Sequence, residues 1–242
     1  MGNLQNSARS NYHRWTRAPA MKLLYLMIAL MLNSMVLHAA EDSTIELNSA
    51  DTDIHDKESL RRGAYLFINQ CTSCHSAKYM RYSRLAKDLE ISEEDVMSNM
   101  LRFGATKISD TISSAMTPDA GKNVYGVAPP DLTLEAKYRG VDWVYSYLMG
   151  FYRDENSTFG YNNRVLNNVA MPWILAGNQE TMSKEEFSRD MRDLTNFMDY
   201  MAEPIKPWRQ NFGKYVIIFL LVLLLPVWLL KREYWREIHG LR

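Results

Sequence analysis

Cys71-Thr-Ser-Cys74-His75 is the stretch of this chain best equipped for chemistry. Two thiols separated by two residues sit on one turn of chain, and an imidazole follows directly. That spacing, C-x-x-C-H, is the attachment motif for c-type haem. The sulfurs of Cys71 and Cys74 bond the macrocycle as thioethers, and His75 turns its ring toward the iron. Other uses of the two thiols fit poorly. They are the only cysteines in the chain, so no disulfide framework holds the fold. A structural zinc site needs four ligands, and His13, His38, His55 and His239 form no second cluster. A thioredoxin-like pair needs a βαβ surround, which the pattern lacks.

The iron needs a second axial ligand, and the 15 methionines are the candidates. Met191, Met198 and Met201 repeat at helical spacing and are explained by packing. Met97, Met100 and Met149 also fall on helical faces. Met80 is too close to His75 along the chain to reach the other haem face. Two methionines remain in loops beside a proline: Met116 in Met-Thr-Pro and Met171 in Ala-Met-Pro. Periodicity does not choose between them.

The elements that must position these residues are mainly helices. Ser59 to Gln70 leads into the cysteines with Leu60, Ala64, Phe67 and Cys71 on one face. Ser92-Glu-Glu-Asp95 opens a helix that stops at Gly104. Asp142 caps another, with Val144, Tyr147, Leu148 and Phe151 along one side. From Ser183 to Glu203 the pattern is clearest. Ser183 and Glu186 make a capping box, then Phe187, Met191, Leu194, Phe197, Met198 and Met201 follow at 3.6-residue spacing. Pro204 ends it. No alternating run argues for a sheet. Long Gly/Pro/Asn loops over 104–141 and 152–182 separate the helices, as expected where a chain wraps a cofactor.

Composition sets the class of protein. The chain has 242 residues, 47% hydrophobic and 23% charged, with 28 basic and 28 acidic residues. Residues 1–40 hold four basic residues and no acid, which leaves a net −4 on the rest. A net-acidic chain is a poor partner for nucleic acid. Lys22, the apolar run Leu23–Leu32 and the small pair Ala39-Ala40 make residues 1–40 a secretory signal peptide, since ten apolar residues are too few to span a bilayer. Tyr215 to Leu230 is a membrane span flanked by Lys214 and Lys231, with Pro226 tolerated inside it. Residues 41–206 are then an exported haem c domain, and 207–242 a transmembrane anchor with a short cytoplasmic tail. The exported part carries 18 basic and 26 acidic residues. Seven of those acids fall between Glu41 and Glu58, either as a solvated lead-in or as a docking surface.

Ser59-Leu-Arg-Arg-Gly63 ahead of Cys71-x-x-Cys74-His75-Ser76, with Ala128-Pro-Pro-Asp-Leu132 and Val169-Ala-Met-Pro172 following in order, resembles the cytochrome c1 family. Asp142-x-Val-Tyr-Ser-Tyr-Leu-Met-Gly150, Ala202-Glu-Pro204 and Leu223-Leu-Leu-Pro226 extend the likeness over roughly residues 55–236. The resemblance implies a class I c-type cytochrome domain with long loops and one C-terminal transmembrane helix, carrying one covalently attached haem c. It makes Met171 the axial partner of His75, pairs Arg139 with a haem propionate and puts Pro130 against the haem. It further implies an electron-transfer subunit of a quinol–cytochrome c reductase, not catalytic alone. Its partners are cytochrome b, the Rieske iron–sulfur protein and a cytochrome c acceptor. The setting it implies is the bacterial inner membrane, crossed once, with the haem domain periplasmic and the C-terminus cytoplasmic.

Overall fold

The computed structural model describes residues 45–238. The expected signal peptide, residues 1–40, and the last four residues of the tail lie outside them. Helix α1, Lys57–Leu66, begins where the Asp56 carboxylate accepts the Ser59 N–H. Its end widens into a π turn, Phe67–Cys71, an irregularity that gathers at functional sites. Strand β1, Ala77–Arg81, and helix α2, Tyr82–Leu89, follow. Glu93–Asp95 (α3) starts on the Ser92 hydroxyl and runs into a second π turn, Val96–Met100. Strand β2, Thr111–Ile112, pairs antiparallel with β1. Then come α4, Pro118–Tyr125, α5, Glu135–Arg139, and α6, Val141–Met149. An antiparallel pair, β3 (Phe151–Arg153) and β4 (Tyr161–Asn163), precedes α7, Ala176–Thr181. The chain closes with α8, Lys184–Ala202, and α9, Lys206–Ile238.

The fold is mainly α, as the periodicity predicts, and α8 carries the predicted capping box. The two long loops are not bare. Segment 104–141 holds β2, α4 and α5, and 152–182 holds most of the β3–β4 pair and α7. These pieces run from two to eight residues, too short for a periodic pattern to register. Asp142 does not cap its helix. Gly140, at φ 92°, stands at the N-cap, and the Asp142 carboxylate instead accepts the Ala50 N–H at 2.8 Å.

The main packing event is α1 crossing α8. Leu60 and Ala64 of the first, with Phe67 of the π turn that follows it, meet the stripe Phe187, Met191, Leu194, Phe197, Met198 and Met201 of the second, and all are buried. Each large side chain contributes roughly 1.5–3 kcal/mol by leaving water. Close approach needs Gly63: a Cβ there would lie 2.0 Å from the Asp193 carbonyl oxygen. The neighbouring Arg62 grips the buried Asp193 carboxylate twice, at 2.6 and 3.1 Å. The described end of the acidic lead-in is strapped down by its backbone, while its acids Glu46, Asp51, Asp53, Asp56 and Glu58 stay exposed to solvent. Asn48 donates to the Ser146 hydroxyl at 2.7 Å, Arg192 to the Ala50 carbonyl at 3.0 Å and Asn196 to the Asp53 carbonyl at 2.8 Å.

Pro204 does end α8, yet α9 starts two residues later. Glu203 receives Lys137 at 2.9 Å and also Arg209, while Lys206 pairs with Asp199 at 2.9 Å. Lys206–Arg236 is long and apolar enough to cross a membrane, and the side chains of its apolar stretch, Tyr215–Leu230, lie open. A helix satisfies its own backbone, which a lipid setting demands.

Candidate haem site

The π turn delivers Cys71 and a tight turn follows: the N–H groups of Cys74 and His75 both donate to the Cys71 carbonyl, at 3.1 and 2.8 Å. Thr72, fully buried between the cysteines, donates its hydroxyl to the Ile68 carbonyl at 2.6 Å. These bonds lock the C-x-x-C-H turn onto α1. Burial, reinforced by Cys74, pushes the Cys71 thiol up to about 12.

The segment Ala128–Leu132 is laid over this turn. His75 donates Nδ1–H to the Pro130 carbonyl at 2.8 Å. That bond fixes the tautomer and leaves Nε2 as the lone-pair nitrogen. Desolvation lowers the His75 pKa, only partly opposed by the Pro130 carbonyl, so the ring stays neutral and able to ligate. Further bonds hold the segment. Leu132 donates to the Ser76 carbonyl at 2.8 Å, and Lys78 N–H to the Asp131 carboxylate at 2.9 Å.

Cys71, Cys74, His75, Pro130 and Met171 line one apolar cleft of about 480 Å³. Tyr125, Val127, Pro129, Pro172 and Ile174 complete most of its lining. The donor set suits a c-type haem: two thiols, an imidazole and a thioether against carbon surface, with little else polar. Met116 does not line this cleft. It lines a neighbouring, more polar one with Lys78, Thr117 and Asp131, which shares Cys74 and Pro129 with the first, and its sulfur lies 3.4 Å from where a Gly121 Cβ would stand. Of the two loop methionines, the fold brings Met171 to His75.

Arg139 is not among the cleft residues. It bonds Glu135 at 2.9 Å and lies 4.3 Å from the Trp143 ring centroid. Trp143 stacks on Tyr147 at 5.2 Å, and the Tyr147 hydroxyl donates to Met171 Sδ at 3.5 Å. Sequence reasoning placed Tyr147 in the packing stripe and missed this contact. The available signal was its phenol, since a tyrosine on an apolar face needs a partner for its hydroxyl.

An apolar cleft carrying C-x-x-C-H in a mainly helical domain, followed by one long apolar helix, defines a membrane-anchored c-type cytochrome. A profile of the Cytochrome C1 family matches residues 48–238. Cytochrome c1 of Allochromatium vinosum is 42% identical over 220 residues, 80% of this chain and 90% of that one. The ammonia monooxygenase gamma subunit of Nitrosomonas europaea is 38% identical over 232 residues, 89% of this chain and 98% of that one. Mitochondrial cytochrome c1 heme protein of Saccharomyces cerevisiae is 27% identical over 205 residues, 73% of this chain and 66% of that one. The chain belongs to the cytochrome c1 family, whose members carry a covalently bound haem c.

Proposed function

We propose that this chain is the cytochrome c1 subunit of a quinol–cytochrome c reductase (bc1) complex, taking electrons from a Rieske iron–sulfur protein and passing them to a cytochrome c. The observation that carries the reading is the meeting of Cys71, Cys74, His75 and Met171 in one apolar cleft. Cys71 and Cys74 would hold the haem by thioethers, and His75 and Met171 would ligate its iron. Pro130 orients His75 through its carbonyl. Arg139, whose Nε is held by Glu135, would pair with a haem propionate. The haem, when bound, supplies the one-electron couple. His/Met ligation raises its potential, and the apolar lining excludes water from the iron. No acid, base or nucleophile takes part, and quinol oxidation belongs to the whole complex. Residues 1–40 serve as signal peptide, 41–206 as the periplasmic domain and 207–242 as the anchor with a cytoplasmic tail, in a bacterial inner membrane.

Denaturing electrophoresis with a haem stain tests covalent attachment, since only thioether-bonded haem survives. Potentiometry on Met171→Leu and Met116→Leu tests the ligand: the first lowers the midpoint potential with haem retained, and the second leaves it in place. The opposite pattern refutes the assignment. Mild detergent extraction tests the complex. Co-purification with cytochrome b and an iron–sulfur subunit supports the reading, and isolation alone or with another oxidoreductase overturns it.

A further inference from the structure

The loop between β4 and α7 carries Met171, and two adjacent amides close it. Asn163 is fully buried. Its Nδ2 donates to the Tyr147 carbonyl at 2.7 Å, and its Oδ1 accepts the N–H groups of Val165 and Leu166 at 2.8 and 3.2 Å. Asn162 works beside it. Its Oδ1 accepts the N–H groups of Asn163 and Asn168 at 2.8 and 3.0 Å, and its Nδ2 donates to Asp154 at 2.9 Å. Asn168, at φ 57°, is three residues short of Met171.

Space for the Asn163 amide exists because residue 150 is glycine. A Cβ on Gly150 would lie 2.8 Å from the Ser146 carbonyl and 3.1 Å from Asn163 Oδ1. Past Met171, Trp173 stacks on Phe151 with centroids 4.1 Å apart and planes 8° off parallel, and Phe151 faces Asn163 across the β3–β4 ladder. The loop is thus pinned before and after its methionine. The closure is also specific in its partner: Asn163 bonds the backbone of Tyr147, whose hydroxyl contacts the Met171 sulfur.

We infer that Asn163 is the positioning residue for Met171, tying the methionine loop to the Tyr147 peptide and so setting where the sulfur stands in the haem cleft. The inference rests on Met171 being an axial ligand. Asn163 touches neither sulfur nor haem in this role. It acts by keeping the loop closed, so that an open loop is the competing state whenever a foreign ligand seeks the iron. Removing a buried amide with three bonds frees the loop and leaves donors and acceptors unpaired.

The test uses the full-length, haem-loaded chain in detergent. Asn163→Ala and Asn163→Asp are compared with wild type, Met171→Leu and Asn196→Ala. Asn163→Asp keeps the volume and both acceptor bonds and sets a carboxylate oxygen against the Tyr147 carbonyl in place of the donor, so it breaks the same tie by a second route where the alanine variant fails to take up haem. Asn196 is an equally buried amide on α8, bonded to the Asp53 carbonyl and the Ser59 hydroxyl. Three readouts are taken on each: the sulfur-to-iron charge-transfer band of the ferric form, the midpoint potential, and the imidazole concentration that half-displaces the native ligand. Both Asn163 variants are expected to weaken the band and lower the potential. Imidazole should half-displace the ligand at about tenfold lower concentration in Asn163→Asp, the effect of losing one buried hydrogen bond from the closed loop, and at a lower concentration still in Asn163→Ala, which loses three. Asn196→Ala is expected to lower the melting temperature and leave all three readouts unmoved. Wild-type readouts in both Asn163 variants, or equal shifts in Asn196→Ala, overturn the inference. A charge-transfer band that survives in Met171→Leu refutes the ligand assignment itself, a separate failure.

Discussion

Two glycines in helices make opposite predictions from one substitution. Gly63→Ala and Gly177→Ala both gain helix propensity, worth up to about 1 kcal/mol each. At Gly177 an added Cβ meets nothing within 4 Å, so the gain stands. At Gly63 the same methyl falls 2.0 Å from the Asp193 carbonyl oxygen, 2.7 Å from its carbon and 2.8 Å from Phe197 Cβ. Those atoms are α8 backbone and the first carbon of a buried ring, and neither swings aside. Van der Waals separation demands that α1 and α8 part by about 1 Å, which loosens a close-packed core and drags on the Arg62–Asp193 pair. Overpacking of this kind costs roughly 1–3 kcal/mol, and a backbone clash sits at the upper end. The expected net loss for Gly63→Ala is about 2 kcal/mol, or some 4–8 °C in melting temperature for a chain of this size. Gly177→Ala should melt at or slightly above wild type. Thermal melting of the detergent-solubilised chains, followed by circular dichroism, reads both. A Gly63→Ala chain as stable as Gly177→Ala would refute the close crossing. It would also break the argument that α1 presents Cys71 from a fixed platform.

Three further outcomes follow from the same geometry. Gly121→Ala sets a Cβ 2.3 Å from Pro129 Cδ, so it should push the 128–132 segment off His75. It should shift the midpoint potential while the haem stain stays positive, and an unshifted potential removes the link. Glu203 is held down to about 2 by Arg209 first and Lys137 second. Its folded pKa lies below the ordinary 4.5, so its stabilisation is present above pH 4.5 and is lost as pH falls toward 2. The melting difference between wild type and Glu203→Gln should therefore vanish across that window, and a constant difference excludes the ion pairs as its source. A periplasm-active reporter should be active when fused near Glu203 and inactive after Gly240; the reverse would invert the topology.

What was legible in the sequence was what local rules govern. The capping box at Ser183 and the stripe on α8 needed no tertiary knowledge, because 19 residues give the 3.6 period room to show. C-x-x-C-H was legible because its chemistry lies within five consecutive residues. The choice between Met116 and Met171 was open to the same rules, since each is a loop methionine near a proline. The long-range fold gives them different places, Met171 in the cleft that His75 lines and Met116 in the neighbouring, more polar one. Asp142 shows the opposite error. Its place ahead of an apolar run satisfied the capping rule, yet its carboxylate was taken by Ala50, 92 positions away in sequence. Short elements such as β2 and α5 exist because neighbours hold them, so no local window registers them.

The haem cleft itself shows why its supports were the least legible. Its lining is nearly all carbon, which suits a flat apolar cofactor and gives little direction to a loop. Direction comes from polar groups set just behind the lining. The Pro130 carbonyl is aimed by the bonds of Ser76 and Asp131, and the Met171 loop is closed by Asn162 and Asn163. A buried amide or carboxylate with its bonds made is costly to misplace by even an ångström, because moving it strands its partners. Apolar side chains tolerate such shifts far better. In sequence the supports read as ordinary turn residues, Asp131 and Asn163 among them, for nothing local shows which distant groups they bond. The C-x-x-C-H motif names the cofactor, and these plain polar residues hold the His75 and Met171 segments that line its cleft.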